Sequence, residues 1–386
     1  MRVLVLNNTV NYAGSNISFL KLAEGLKSEG VEFIMAGPKV ENHFFEERLK
    51  QLNIDYRVIP VNPCVYPRIS HFSNVRYIGS LLIYPFRLLK IILKRPVVKN
   101  KLYSLINDFK PDIIHTNTGV IREGVICGKK KGIPSIVHLR EYQDLDFGFR
   151  IFPSKKKFES FLRTTNVISI TYDIARHFEI IDYCRASVIY NGIMPKSAVT
   201  FNWPKENHFL CCSRISEKKG HEEVIKAFSQ FSLCHKDYKL VILGTGDERY
   251  IQRLKNIASV LGCSNSIEWL GFSNKPFEYM IKAKALIVAS YNEGFGRMTA
   301  EATFAGCITI GRNTAGTKEI INSTGGFFFE DEKGMIECMN AVAALESDAY
   351  HNIIKKGQVY AQDYFSTEAN VEKTYNVYKR VISEKI

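Results

Sequence analysis

Short runs of aliphatic and β-branched residues alternate along this chain with stretches in which apolar residues recur every three or four positions, the pattern of parallel strands joined by crossover helices. Arg2–Leu6 reads as a strand. Ser15–Glu29 reads as a helix, with Ile17, Leu20, Ala23 and Leu26 on one face and Gly30 as its stop signal, and Val31–Ala36 follows as the next strand. Together they predict one right-handed βαβ unit. Strands over Asp112–Thr116, Ser135–Leu139, Val167–Thr171 and Ser187–Tyr190 complete a first sheet. After the turn dipeptide Asn191-Gly192, residues 193–207 carry two prolines and little periodicity, and they read as a linker. A second series follows, with strands expected at Phe209–Ser213, Lys239–Leu243, Ile267–Leu270, Ala285–Ala289, Ile308–Gly311 and Gly326–Phe329. The stretch 361–386 is helical and amphipathic, offering Tyr364, Val371, Tyr375 and Val381 to the body. The predicted division is therefore a domain over 1–192, a linker over 193–207, a second domain over 208–364 and a terminal helix over 365–386 that packs back on the first. Open parallel sheets bind ligands outside the carboxyl ends of their strands, so the loops there are where chemistry is sought.

Composition changes this picture little. With 46% hydrophobic and 24% charged residues the chain is globular, which excludes disorder, collagen and a small disulfide scaffold. No apolar run reaches the roughly 20 residues of a membrane-spanning helix, because Arg87 and Lys90 interrupt the most apolar segment. The opening Met1-Arg2-Val3-Leu4-Val5-Leu6 runs into polar residues without the pattern of a signal peptide. The nine cysteines are odd in number and contain no C-x-x-C pair, so they read as buried thiols of a cytoplasmic protein, not metal ligands or disulfides.

Charge is more informative. The net charge is +13, and between Tyr56 and Asn107 there is no Asp or Glu, whereas Arg57, Arg68, Arg76, Arg87, Lys90, Lys94, Arg95, Lys99 and Lys101 are all basic. Without those nine, 43 basic residues face 39 acidic ones, so most of the excess is one local feature. No helix-turn-helix, zinc-finger or RNP pattern accompanies it, and nucleic acid is not expected as a partner. Tyr77 to Leu93 mixes aromatic and aliphatic residues with spaced cations, the composition of a segment lying in the headgroup layer of an anionic membrane. The 56–107 stretch thus reads either as a membrane-associating insertion, which places the protein peripherally at the inner face of the plasma membrane, or as a helical insertion packed on the domain with a solvated basic edge.

The most specific constellation is Ser290-Tyr-Asn-Glu-Gly-Phe-Gly-Arg-Met-Thr-Ala-Glu301, in which a strand enters a glycine-containing loop and then a helix. Glu293 on the loop and Glu301 on the second helical turn converge on one helix start. Free N–H groups and the positive dipole end suit a phosphate there, and a carboxylate accepting from two vicinal hydroxyls suits a ribose or a sugar. The plainer alternative is a pair of capping or surface glutamates. Ser213-Arg-Ile-Ser-Glu-Lys-Lys-Gly220 follows the first strand of the second domain and sets Arg214 and Lys219 on one strand-to-helix loop, where a guanidinium fork and an ammonium can clamp a diphosphate. Gly244-Thr-Gly246 alone is weak: a dinucleotide fingerprint needs a third glycine where Arg249 stands, which argues against NAD.

Taken together, these motifs resemble those of the retaining, nucleotide-sugar-dependent glycosyltransferases of family four, which have the GT-B fold of two Rossmann-like domains facing a central cleft. The matching residues are Asn191-Gly192, Ser213-Arg214 with Lys219-Gly220, Gly244-Thr245-Gly246, Glu293-Gly294-Phe295-Gly296 with Glu301-Ala302, Gly306, and Gly316 with Glu319-Ile320-Ile321. The resemblance implies that Arg214 and Lys219 contact the donor diphosphate, Glu301 the ribose and Glu293 the donor sugar, with Asn191, Gly244, Gly246, Gly294, Phe295, Gly296 and Thr317 also at the donor. Gly14, in Asn11-Tyr-Ala-Gly-Ser15, matches the family's glycine-rich loop, with one glycine where a pair is common. His138-Leu-Arg140-Glu141 ends a strand, where the family often has a histidine lining the acceptor and sugar site, so His138, Arg140 and Glu141 are expected at the acceptor. His115 reads as structural. Ala315 stands where the family often has glycine, a departure expected to cost little.

The implied reaction moves a sugar from a UDP- or GDP-sugar to an acceptor hydroxyl with retention, the departing diphosphate taking the proton while Arg214 and Lys219 neutralise it, with no metal or other cofactor. Glu293, His138, Arg214 and Lys219 are the expected catalytic set. Asp144-Leu-Asp146 reads as a loop and not a metal site. The basic segment suggests a lipid-linked saccharide acceptor in the biosynthesis of capsule, O-antigen or a similar surface polysaccharide. A nucleotide-sugar epimerase on the same architecture, or a non-catalytic nucleotide-sugar-binding protein, are the alternatives.

Overall fold

The computed structural model describes residues 1–9, 14–61, 63–67, 89, 93 and 95–384. The chain divides into two compact units, Met1–Gly192 together with Asn370–Ile386, and Ile193–Ala369. The first is built on a seven-stranded sheet in which β1 (Arg2–Leu6), β2 (Glu32–Gly37), β3 (Asp55–Val58), β5 (Ile113–Thr116), β6 (Ser135–Leu139), β8 (Asn166–Ser169) and β9 (Ala186–Val188) run parallel in the order β3-β2-β1-β5-β6-β8-β9. Both faces are covered, and the strands accordingly read as continuous apolar runs. Val3 and Val5 face one cluster with Phe19, Ala23 and Leu26 of helix Gly14–Ser28 and Tyr378 and Val381 near the chain's end. Leu4 and Leu6 face the other, with Leu102, Ile106 and Cys127. The helix Thr367–Ser383 gives its residues from Asn370 onward to this domain. There Asn370 Nδ2 donates to the Tyr190 carbonyl at 2.6 Å, and Val371 so fills the space over Gly25 that any Cβ there would overlap it.

The second unit has a six-stranded parallel sheet, order β12-β11-β10-β13-β14-β15, from β10 (Glu206–Cys212), β11 (Lys239–Leu243), β12 (Ile267–Gly271), β13 (Ala283–Val288), β14 (Ile308–Arg312) and β15 (Phe327–Phe329). Phe209 and Cys211 point into one apolar cluster and Leu210 into the other. The doubly wound α/β class expected from the alternation is thus observed in both halves.

Three features differ from the sequence reading. Edge strand β3 was not expected, because Asp55 and Arg57 break its apolar pattern, and β4 (Val65–Pro67) with β7 (Phe149–Ile151) forms a separate antiparallel pair too short to show periodicity. Residues 193–207 are not a loose linker: Ile193 is buried, Thr200 N–H donates to the Phe304 carbonyl, and Phe201 and Trp203 lie against Tyr350. The 56–107 stretch is not one insertion, since residues 95–109 form a helix whose Val98, Leu102, Ile106 and Phe109 are core. Arg68, Arg76, Arg87, Lys90, Lys94 and nearly all of Tyr77 to Leu93 lie outside the described residues, as do Asn11, Tyr12 and Ala13. Among the described residues no helix is long and apolar enough to cross a membrane.

Candidate active site

In the second domain the loops after β10, β11 and β13 are brought together by glycines. Ile215 N–H donates to the Thr245 carbonyl at 2.8 Å and Ser213 N–H to that of Leu243 at 3.1 Å. A Cβ on Gly244 would overlap the Ser213 carbonyl, and one on Gly246 the Ile215 carbonyl. These two glycines, expected at the donor, therefore let two protein loops lie side by side; the space their missing side chains leave is filled by backbone. Gly220, at φ +70°, closes the turn Glu217–Lys219 onto the end of β13, where a Cβ would overlap the Ala289 carbonyl. The turn aims Lys219 at Glu293, with which its ammonium makes an ion pair, and Tyr291 N–H donates to the Lys218 carbonyl at 3.1 Å. Arg214 is exposed and its guanidinium has no partner among the described residues.

The Glu293 loop runs into helix Arg297–Phe304, with Gly296 at φ +89° before it, and Gly316 N–H, at the start of helix Ala315–Thr324, donates to the Glu293 carbonyl at 2.9 Å. Two helix N-termini thus lie beside one loop, neither capped by a side chain among the described residues; the Gly316 N–H of the second is taken by the loop, and the first-turn N–H groups of helix Arg297–Phe304 suit an anion. The Thr299 and Thr317 hydroxyls are buried there without a hydrogen-bond partner among the described residues. Glu301 is buried one turn further on, 3.4 Å from Arg297 Nη2, and its charge adds to burial in pushing the Cys212 thiol up to about 12, which places it beside the end of β10. The Phe295 ring is buried and meets Phe365 edge-on, so it packs in the domain and does not face a ligand. Ala315 sits at φ +49°, a left-handed conformation that costs an alanine about 1 kcal/mol, so this departure from glycine is not free. Sequence reasoning missed a buttress: Arg312 pairs with Glu223, donates to the carbonyls of Ala289 and Glu330, both at 3.2 Å, and stacks on Tyr291, whose hydroxyl donates to Glu223 at 2.6 Å. The three come from separate elements, and nothing local in the chain marks them.

In the first domain His138 is buried rather than open. Its Nδ1 lies 3.2 Å from His115 Nε2 and 3.3 Å from Arg140 Nη2, while its Nε2 is buried without a partner among the described residues. His115 Nδ1 is 2.6 Å from the Tyr378 hydroxyl. Arg140, expected at the acceptor, is turned inward: Nε donates to Asn117 Oδ1 at 2.9 Å and Nη1 to Asn191 Oδ1 at 2.7 Å, which also engages Asn191, expected at the donor. Burial, reinforced by the Arg140 charge, pushes His115 down to about 3 and His138 well below the ordinary range, and burial brings Arg140 down to about 10. Glu141 accepts from Gln143 Nε2 at 2.8 Å, and burial, with the charge of Asp146, holds its carboxyl above the usual range. Gly14 begins its helix with open space where a Cβ would stand.

The sequence matches two family models end to end, Glycosyltransferase Family 4 over residues 12–196 and Glycosyl transferases group 1 over residues 196–359. The chain belongs to glycosyltransferase family four. This family-four chain is 27% identical over 169 residues, 42% of its length and 43% of the relative's, to an N-acetylgalactosamine-N,N'-diacetylbacillosaminyl-diphospho-undecaprenol 4-alpha-N-acetylgalactosaminyltransferase of Campylobacter jejuni. It is 22% identical over 292 residues, 71% of its length and 80% of the relative's, to the O-antigen biosynthesis glycosyltransferase WclY of Escherichia coli. The chain spans about half the length of two of the curated relatives it matches. Anabaena HepE, crystallised with UDP, superposes with a TM-score of 0.77 at 16% identity, covering 98% of this chain and all of the other, which establishes the GT-B fold.

In this family-four protein the second domain therefore gathers an exposed guanidinium, an ion-paired ammonium, two helix starts without a side-chain cap among the described residues, and two carboxylates at the carboxyl ends of its central strands. Cations and N–H donors suit a diphosphate; the carboxylates suit hydroxyls.

Proposed function

We propose that the protein transfers a glycosyl group from a nucleoside diphosphate sugar to a hydroxyl of a lipid-linked saccharide in the biosynthesis of a surface polysaccharide, with retention and without a metal. The observation that carries the reading is the Lys219–Glu293 pair, set where two uncapped helices begin. A cation already held at that point neutralises an incoming diphosphate, and the exposed Arg214 adds a second charge. In the step, the bond from the anomeric carbon to the diphosphate oxygen breaks, the bond to the acceptor oxygen forms on the same face, and the acceptor proton passes to the departing diphosphate. Lys219 then shares its hydrogen bonds between Glu293 and the leaving group, Glu301 holds the ribose, and His138 and Glu141 serve the transferred sugar and the acceptor. The names of the Campylobacter and Escherichia relatives support the class of acceptor and product. The test is incubation with a panel of UDP- and GDP-sugars and an undecaprenyl-diphosphate-linked saccharide, with EDTA present. Release of nucleoside diphosphate with an α-linked product from an α-donor is expected; turnover of donor alone into an epimer, a β-linked product, or abolition by EDTA refutes the corresponding part.

The membrane reading is supported by one further observation. Leu89, Leu93 and Val97, four residues apart on helical positions, are each more than half exposed. Arg95, Lys99 and Lys101 flank them, a stripe of aliphatic residues edged by cations, suited to an anionic lipid surface. Co-sedimentation with phosphatidylglycerol vesicles at low salt is expected, and Leu89→Ser with Leu93→Ser should release the protein; equal binding by that variant refutes the reading.

A further inference from the structure

The histidine chain of the first domain has only one arrangement of hydrogens. A guanidinium donates and never accepts, so His138 Nδ1, 3.3 Å from Arg140 Nη2, must be an acceptor. The same Nδ1 lies 3.2 Å from His115 Nε2, which must then carry the His115 hydrogen. A neutral imidazole has one N–H, so His115 Nδ1 is left with a lone pair, and the Tyr378 hydroxyl donates to it at 2.6 Å. Both rings are fully enclosed and held neutral by burial beside Arg140. His138 therefore carries its only hydrogen on Nε2, the atom that is buried and unpartnered among the described residues. A buried donor without an acceptor is costly, whereas His138 Nδ1, both nitrogens of His115 and the Tyr378 hydroxyl all have partners.

We infer that Tyr378, His115 and Arg140 are positioning residues that lock His138 as an Nε2–H donor, so that toward the sugar it serves in the proposed reaction it can only donate. The contact with substrate rests on the proposed glycosyl transfer; the lock does not. His138 gives a hydrogen bond and takes no proton, and its polarity is fixed 263 residues away in sequence from His115, by a tyrosine near the chain's end.

The lock is read directly from two-bond 1H–15N correlations of the full-length, ligand-free protein labelled in its histidine rings, with His138→Gln assigning the signals. A pyrrole-type Nε2 and a pyridine-type Nδ1 are expected for His138, and the same pattern for His115; a protonated Nδ1 on His138 overturns the lock. His115→Gln, whose amide accepts from Tyr378 and donates to His138, should preserve the His138 pattern, whereas His115→Leu or Tyr378→Phe should mix it. For Tyr378→Phe the donor KM should rise about fivefold, the value of one hydrogen bond; an unaltered spectrum and KM together refute the role of Tyr378. Addition of saturating UDP-glucose or GDP-mannose should move the His138 Nε2–H signal, and a signal unmoved by both refutes the substrate contact. Absence of turnover with any sugar nucleotide refutes the proposed function and leaves the ligand-free spectrum to decide the lock.

Discussion

Acid should loosen both domains through their buried histidines, and the structure sets the size of the effect. Burial holds His115 near 3, His138 well below its ordinary range and His221 near 4. In the unfolded chain each titrates near 6.5. Between those values the unfolded state binds a proton that the native state refuses, so stability is intact above about pH 7 and is lost as pH falls from 6.5 toward 3 to 4. At pH 5.5 each such histidine costs about 1.4 kcal/mol. His115 and His138 together remove about 3 kcal/mol from the first domain, and His221 removes half as much from the second, where His208, also lowered by burial, adds to the loss, against total stabilities of about 5–15 kcal/mol. Glu123 and Glu141, whose carboxyls burial raises, act in the opposite direction and offset part of the loss. The domains can be followed separately, because the two tryptophans, Trp203 and Trp269, both lie in the second. Urea midpoints at pH 7.5 and 5.5, read by tryptophan fluorescence for the second domain and by hydrogen exchange for the first, should fall by about 0.7 M or more in the second and by up to about 1.5 M in the first, at a slope near 2 kcal/mol per M. A first-domain midpoint that does not move, or a His115→Gln variant with undiminished pH dependence, would falsify the reasoning.

Other outcomes follow from single contacts. Lys219→Ala should lower kcat about a hundredfold or more by removing the cation proposed to face the leaving group, and Glu301→Ala should depress donor affinity together with turnover; unchanged steady-state kinetics reject that site. Gly246→Ala should destabilise the second domain by about 2 kcal/mol or more, since its Cβ would overlap the Ile215 carbonyl, as seen in the tryptophan-detected urea midpoint. Ala315→Gly should raise that same midpoint by the equivalent of about 0.5–1 kcal/mol by relieving a left-handed alanine, and a fall would show that the backbone there is not strained.

The interior strands were legible because burial on both faces leaves unbroken aliphatic runs, as in Val3–Leu6 and Leu240–Leu243. Strand β3 was not, because an edge strand facing water on one side can carry Asp55 and Arg57 without penalty. Glycines could be located but not interpreted. Gly244 and Gly246 look alike whether a phosphate or another loop needs the space of the missing Cβ, and here the loop after β10 takes it. Arg140 showed the same limit: charge beside a strand-end histidine suggested a ligand contact, yet the guanidinium is spent on Asn117, Asn191 and His138. Pairings such as Lys219 with Glu293, or His115 with Tyr378, join residues far apart in sequence, and only the folded sheets bring them together.

The first domain takes its last seventeen residues from the far end of the chain, among them Val371, Val377, Tyr378 and Val381. During synthesis, residues 1–192 leave the ribosome with one flank of their sheet uncovered and His115 without its phenol. They stay in that state while all of Ile193–Ala369 is being made. The half translated first is therefore the half finished last, and a product released before Asn370 leaves an exposed aliphatic flank that invites chaperones or aggregation.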